Sequence, residues 1–149
     1  MMSAATSSSS GTSGRSLPEK LGFKDGMAVA FVALPAELEA LADSVAFDAV
    51  LRTDDWASPL GSDPALDAIH AFTKSRAEVE RDLVRLQNAI RRDGMIWVSW
   101  PKKASKVASD VTEDVVRDAA LKLDLVDIKV AAIDATWSGL KLMVRKDRR

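Results

Sequence analysis

Two short stretches carry side chains suited to holding an anion. Thr73-Lys74 and Ser99-Trp100-Pro101-Lys102-Lys103 bring together hydroxyl donors, ammonium charges and one indole. Ammonium groups attract phosphate or carboxylate, hydroxyls complete the hydrogen bonding, and an indole supplies an apolar or stacking wall. The expected ligand-binding set is therefore Thr73, Lys74, Ser99, Trp100, Lys102 and Lys103, with Lys106 close by in sequence. The ordinary alternative is that Trp100 packs under its own loop while the lysines are simply solvated. A nucleic-acid surface is not expected, because a formal net charge of -1 and a pI of about 5.8 leave only a small basic footprint.

Other chemistry is thinner. His70 is the single histidine, and its ordinary pKa would suit a general base near neutrality. No serine and carboxylate stand beside it in the chain to form a relay, so a structural role is expected. Asp54-Asp55 with Asp63 lack the regular oxygen spacing of a calcium loop, and no metal is assigned. Zero cysteines exclude disulfides, thiol catalysis and thiolate zinc sites, and they suit a reducing, cytoplasmic setting. No apolar run approaches the roughly 18 residues that span a bilayer, so no membrane partner is expected. Asp134-Ala135-Thr136 reads as a hairpin turn. Trp137 reads as core or contact packing.

These residues need elements to position them. Residues 1–16, rich in Ser, Thr and Gly, read as a disordered tail without the pattern of a secretory signal, because such a composition buries too little apolar surface to order itself. Residues 17–149 read as one α/β domain. Met27 to Leu34 has no polar residue, as in a strand covered on both faces. Pro35 suits the first position of a short helix ending near Asp43. Phe47 to Leu51 is a second strand, Trp56 to Pro64 a loop, and Leu66 to Phe72 a third strand.

Ser75 or Thr73 caps a helix with Val79, Leu83, Leu86 and Ile90 at helical spacing. Arg91-Arg92 and then Gly94 read as its C-terminal cap. Met95 to Trp100 is a fourth strand. Asp110 with Glu113 reads as a capping box for a helix bearing Val111, Val115, Val116, Ala119 and Leu123. Val126, Ile128 and Val130, then Leu140, Leu142 and Val144, alternate with polar residues as a hairpin with one wet side. Alternating strands and helices predict a three-layer α/β fold. Its sheet is mostly parallel, with about six strands and a C-terminal antiparallel hairpin.

The Asp93-Gly94-Met95-Ile96-Trp97-Val98-Ser99-Trp100 strand, the helix after it and the terminal hairpin resemble a truncated Rossmann-like methyltransferase fold. The loop from Trp56 to Pro64 stands where that fold has a helix, a strand and another helix. After its first strand a methyltransferase carries a glycine-rich cofactor loop. This chain has Val32-Ala33-Leu34-Pro35-Ala36-Glu37 there, so close backbone approach by S-adenosylmethionine is not expected and no cofactor is assigned.

A second resemblance is to the bacterial domain of unknown function 3052. It is carried by Lys20-Leu21-Gly22-Phe23-Lys24-Asp25-Gly26, by residues 69–78 from Ile69 to Glu78, by Gly94 to Lys103 with its Ser-Trp-Pro-Lys-Lys block, and by Val126 to Val130 with Asp134 to Lys141. It implies no activity and no site residues. The function expected from sequence is thus a non-catalytic module binding a small anionic ligand or a protein partner at the strand-end cleft. The alternatives are a degenerate methyltransferase-like enzyme and a structural domain whose Trp56, Trp100 or Trp137 anchors a homo-oligomer.

Overall fold

A computed structural model describes residues 16–60 and 65–149. The expected tail up to Arg15, and the loop segment 61–64 with Asp63, lie outside the described residues. Ser16, counted with the tail, is the N-cap of the short helix α1 (Leu17–Leu21). Its hydroxyl accepts from the Glu19 amide and Glu19 reaches back to the Ser16 amide, a reciprocal capping box. Gly22 closes α1 at φ 80°, a left-handed conformation that costs glycine nothing.

Six strands follow: β1 (Ala28–Val32), β2 (Ala49–Thr53), β3 (Leu66–Phe72), β4 (Ile90–Pro101), β5 (Leu125–Ala132) and β6 (Trp137–Val144). They form one sheet in the order β2-β1-β3-β4-β6-β5. The first four are parallel, and β6 runs antiparallel to both β4 and β5. The expected α/β class, six strands and terminal hairpin are therefore the observed ones.

Each face of the sheet has its own core. On one side α2 (Arg76–Ala89) and α3 (Glu113–Leu121) bury Val79, Leu83, Leu86, Val116 and Ala120 against Ile69, Val98, Leu140 and Leu142. Arg117 pairs with Glu113 and Asp114 within α3 and ties the helix to the hairpin through Asp127 of β5. On the other side α1 and a kinked 3-10 helix over Ala36–Asp43 bury Leu21, Leu38 and Leu41 against Phe31, Phe72 and Trp97. The near-continuous burial of β1, β3 and the Gly94–Pro101 part of β4 is the consequence of this double coverage.

Four local expectations are corrected. The helix expected to run to Arg92 ends at Ala89, and Ile90 already belongs to β4. Gly94 is not a helix cap. A Cβ there would lie 2.9 Å from the Asp67 carbonyl and 3.2 Å from that of Leu66, beside the register shift between Leu66 and Ala68, so glycine admits a close backbone crossing. The N-cap of α3 is Thr112, whose hydroxyl accepts from the Val115 amide. Asp110 instead accepts from the Arg76 amide at the start of α2. In β5 a second shift, between Asp127 and Lys129, breaks the expected alternation and leaves Ile128 and Val130 exposed.

Candidate functional site

The strand order places β1 between β2 and β3. Their connections leave in opposite directions there, the point at which open α/β sheets take ligands beyond the carboxyl ends of their strands. A cleft of about 570 Å³ lies at that point, a size typical of small-molecule sites. Its walls come from the β1 exit (Ala33, Pro35, Glu37), the β2 exit (Asp54), the β3 exit (Phe72, Thr73, Lys74, Ser75) and first turn of α2 (Glu78), Val107, and the hairpin residues Thr136 and Trp137.

Each wall has a local cause. Ala33 sits at φ 57°, a left-handed conformation that costs a non-glycine residue about 1–2 kcal/mol. Its amide donates to the Thr53 carbonyl at 2.8 Å, which fixes the turn against the end of β2. Pro35, expected at the first helical position, is instead the extended N-cap of the 3-10 helix that carries Glu37. The Glu37 carboxylate accepts from Trp137 Nε1 at 3.1 Å. Its own backbone hydrogen bond, that indole and the charge of Lys74 hold it below the usual carboxylate range against a smaller effect of burial. Trp137 stands edge-on to Phe72, ring centres 5.2 Å apart, and the two form the apolar floor.

At the β3 exit Thr73 receives the Ser75 amide on its hydroxyl and donates that hydroxyl to Glu78 at 2.6 Å. Ser75 caps α2 by accepting from the Glu78 amide. The helix start therefore aims both Thr73 and Glu78 at the cleft. Three carboxylates, Glu37, Asp54 and Glu78, face one ammonium, Lys74. That lining favours a ligand with positive charge and hydroxyl donors over a simple anion.

Of the residues expected from sequence, Thr73 and Lys74 line this cleft, and the other four are placed elsewhere. Ser99 is fully buried and lies 2.7 Å from His70 Nε2. Trp100 is buried in the core under α2 and α3. Lys102 Nζ donates to the Asp134 carbonyl at 2.7 Å, and its amide donates to Thr136, so it staples β4 to the hairpin turn. Lys103 points into solvent on a single 3-10 turn. Alternation along β4 explains the scatter: Ser99 and Trp100 face opposite cores, and Pro101 ends the strand before the lysines.

His70 is the structural residue expected. Its ring stacks on Phe72 with centres 4.2 Å apart, and Nδ1 is a buried atom without a hydrogen-bond partner. Burial pushes the imidazole down to about 3. Gly139 makes room for the pair, since a Cβ there would lie 2.8 Å from Ser99 Oγ. Asp55 folds its own turn by accepting from Ala57 and Ser58. Among the described residues no acidic or histidine cluster is arranged to hold a metal. Trp56, Trp100 and Trp137 are all buried, which removes them as exposed anchors of an oligomer. No helix of the described residues is long and apolar enough to cross a membrane.

No family model matches the chain, and no curated protein matches it. Solved structures do match its fold. A SAM-dependent methyltransferase from Geobacter sulfurreducens, in complex with S-adenosyl-L-homocysteine, superposes with a TM-score of 0.61 at 11% identity, over 87% of this chain and 89% of that one. Magnesium protoporphyrin IX methyltransferase from Synechocystis with bound SAH gives 0.61 at 12% identity, over 86% and 78%. The Bacillus subtilis m1A22 tRNA methyltransferase gives 0.55 at 10% identity, over 81% and 61%. The fold is thus the Rossmann-like fold of SAM-dependent methyltransferases.

This overturns the expected non-catalytic module with an anion site around Ser99 to Lys103. The shared fold is that of enzymes solved with SAM or SAH bound. The chain's own strand-end cleft presents three carboxylates, Glu37, Asp54 and Glu78, and of the expected lysines only Lys74.

Proposed function

We propose that this chain is a methyltransferase-like protein that binds S-adenosylmethionine in the cleft at the ends of β1, β2 and β3. The observation that carries the reading is the acidic lining of that cleft, with Asp54 at the end of β2. In nucleotide-binding folds of this kind an acidic residue about 20 residues after the first strand accepts from ribose hydroxyls. Asp54 holds that place. The left-handed turn at Ala33 keeps the conformation that a glycine would take after β1, although the sequence lacks the glycine. Pro35 and the Ala33 methyl narrow the approach, so the predicted affinity is weaker than a glycine-rich loop would give.

The residues fit the cofactor in kind. Asp54 would accept from the ribose diol, Glu37 would face its positive charge, and the Phe72–Trp137 corner would supply apolar contact. When bound, S-adenosylmethionine supplies an electrophilic methyl group on a sulfonium. The chain's own contribution is to orient this donor. Thr73 and Glu78, locked together at the β3 exit, present a hydroxyl and a carboxylate to an acceptor entering from that side. Kinship with the domain of unknown function 3052 and a cytoplasmic location belong to the same proposal, the latter supported by the absence of cysteine.

Isothermal titration with S-adenosylmethionine and with S-adenosylhomocysteine tests the reading. Saturable one-to-one heat, weakened about tenfold or more by Asp54→Ala, supports it. Absence of heat at millimolar concentrations of both compounds eliminates it.

A further inference from the structure

The outer hairpin carries a charge arrangement that folding alone opposes. Lys129 on β5 lies directly opposite Lys141 on β6. Such pairs stand about 5 Å apart at Cβ and repel. The register makes them neighbours. Asp127 faces Leu142, and without the bulge Ile128 would face Lys141. The one-residue shift between Asp127 and Lys129 brings Lys129 there instead and leaves Ile128 47% exposed. A bulge that exposes an isoleucine in order to align two like charges is a device for re-aiming a side chain.

The surroundings of the pair are equally uneven. Lys141 also faces Trp97 across β6 and β4, so it stands half-buried between a buried indole and Lys129. Burial, and then the charge of Lys129, lower the Lys141 pKa from the ordinary lysine value. Neither lysine has an ion pair or hydrogen bond with a described residue. The nearest carboxylate in sequence, Asp127, is engaged by Arg117. Lys20 of α1 adds a third cation at the end of the hairpin, where its ammonium donates to the Ala132 carbonyl.

We propose that Lys129 and Lys141 form a binding site for a phosphate-class oxyanion, independent of the acidic cleft. One dianion accepting from both ammonium groups removes their repulsion and satisfies the half-buried Lys141. Met143, two residues along β6 from Lys141 and paired with Val126, borders the half-buried side of the site, while Lys129 is open to solvent.

Thermal unfolding in sodium phosphate, against sodium chloride at matched ionic strength, is the test. At about ten times its Kd, phosphate raises the wild-type midpoint by about 4 °C. Lys141→Met raises the midpoint in chloride by removing the repulsion, and together with Lys129→Ala it cuts the phosphate response below about 1 °C. Lys74→Ala, in the cleft, keeps the full response. A nucleoside 5′-monophosphate giving the same shift as inorganic phosphate marks a site for the free ion, and a larger shift marks a phosphate ester. The proposal is overturned if phosphate produces no shift beyond chloride, or if the shift survives in both lysine variants or vanishes in Lys74→Ala.

Discussion

The buried histidine makes a prediction about acid stability whose size follows from the structure. His70 has an ordinary pKa of 6.5 when the chain is unfolded, and burial lowers it to about 3 in the folded protein. Protonating it in place would put a charged ring, whose Nδ1–H has no acceptor, among the rings of Phe23, Phe72 and Trp97. The unfolded chain therefore binds this proton first. Stability is fully present above pH 6.5, falls as the pH drops below it, and stops falling near pH 3. At one pKa unit per 1.36 kcal/mol, His70 alone costs about 2–3 kcal/mol of stability between pH 7 and pH 4.5.

The perturbation is His70→Phe with Ser99→Ala, which removes both members of the 2.7 Å contact and leaves no orphaned hydroxyl. Urea unfolding at pH 7.0 and pH 4.5 measures the difference. The wild type should lose about 2–3 kcal/mol more than the double variant over that interval, because the carboxylates common to both cancel in the comparison. Equal losses in the two proteins would refute the assignment of a neutral, desolvated His70.

Three further outcomes follow from named contacts. Ala33→Gly should stabilise the protein by about 0.5–1 kcal/mol in urea unfolding, since relief of the left-handed penalty exceeds the entropy cost of glycine, and it should tighten S-adenosylmethionine binding. Gly94→Ala should destabilise by about 1–3 kcal/mol, because the new methyl meets the Asp67 carbonyl at 2.9 Å. Lys102→Ala should cost about 1 kcal/mol by freeing the Asp134 carbonyl, yet leave cofactor affinity within about twofold, as titration would show.

The framework was legible in the sequence wherever one residue pattern had one physical cause. Leu66 to Phe72 is β3 to the residue because a short, mostly apolar run of that length, broken only by Asp67 and His70, suits a strand covered on both faces. The spacing of Val79, Leu83 and Leu86 marked the buried stripe of α2. Local rules failed where a distant segment intervened. Arg91-Arg92-Asp93-Gly94 has the composition of a helix end, and only the passing backbone of Leu66 and Asp67 reveals why it is strand.

The cleft was half legible. Thr73 and Lys74 follow from being at a strand exit. Glu37 and Trp137 meet across 100 residues, and Asp54 and Glu78 each look like an ordinary turn or helix residue in isolation. The one available signal was the position of Asp54, an acidic residue at the end of the second strand. The Ser-Trp-Pro-Lys-Lys block drew attention by composition. Its side chains go to two cores, a carbonyl and solvent.

The central claim is that the acidic cleft, and not the basic exit of β4, receives the cofactor. The most direct measurement follows the tryptophan indole N–H signals in a 1H–15N spectrum during addition of S-adenosylhomocysteine. Trp137 Nε1 donates to Glu37 in the cleft, whereas Trp97 Nε1 donates to the Leu21 carbonyl in the core. The account predicts a progressive, saturable shift of the Trp137 indole together with the Ala33 and Thr73 amides, while the Trp97 indole and the Lys103 amide stay in place. Shifts confined to Ser99 through Lys103, or no shift at saturating ligand, would contradict it.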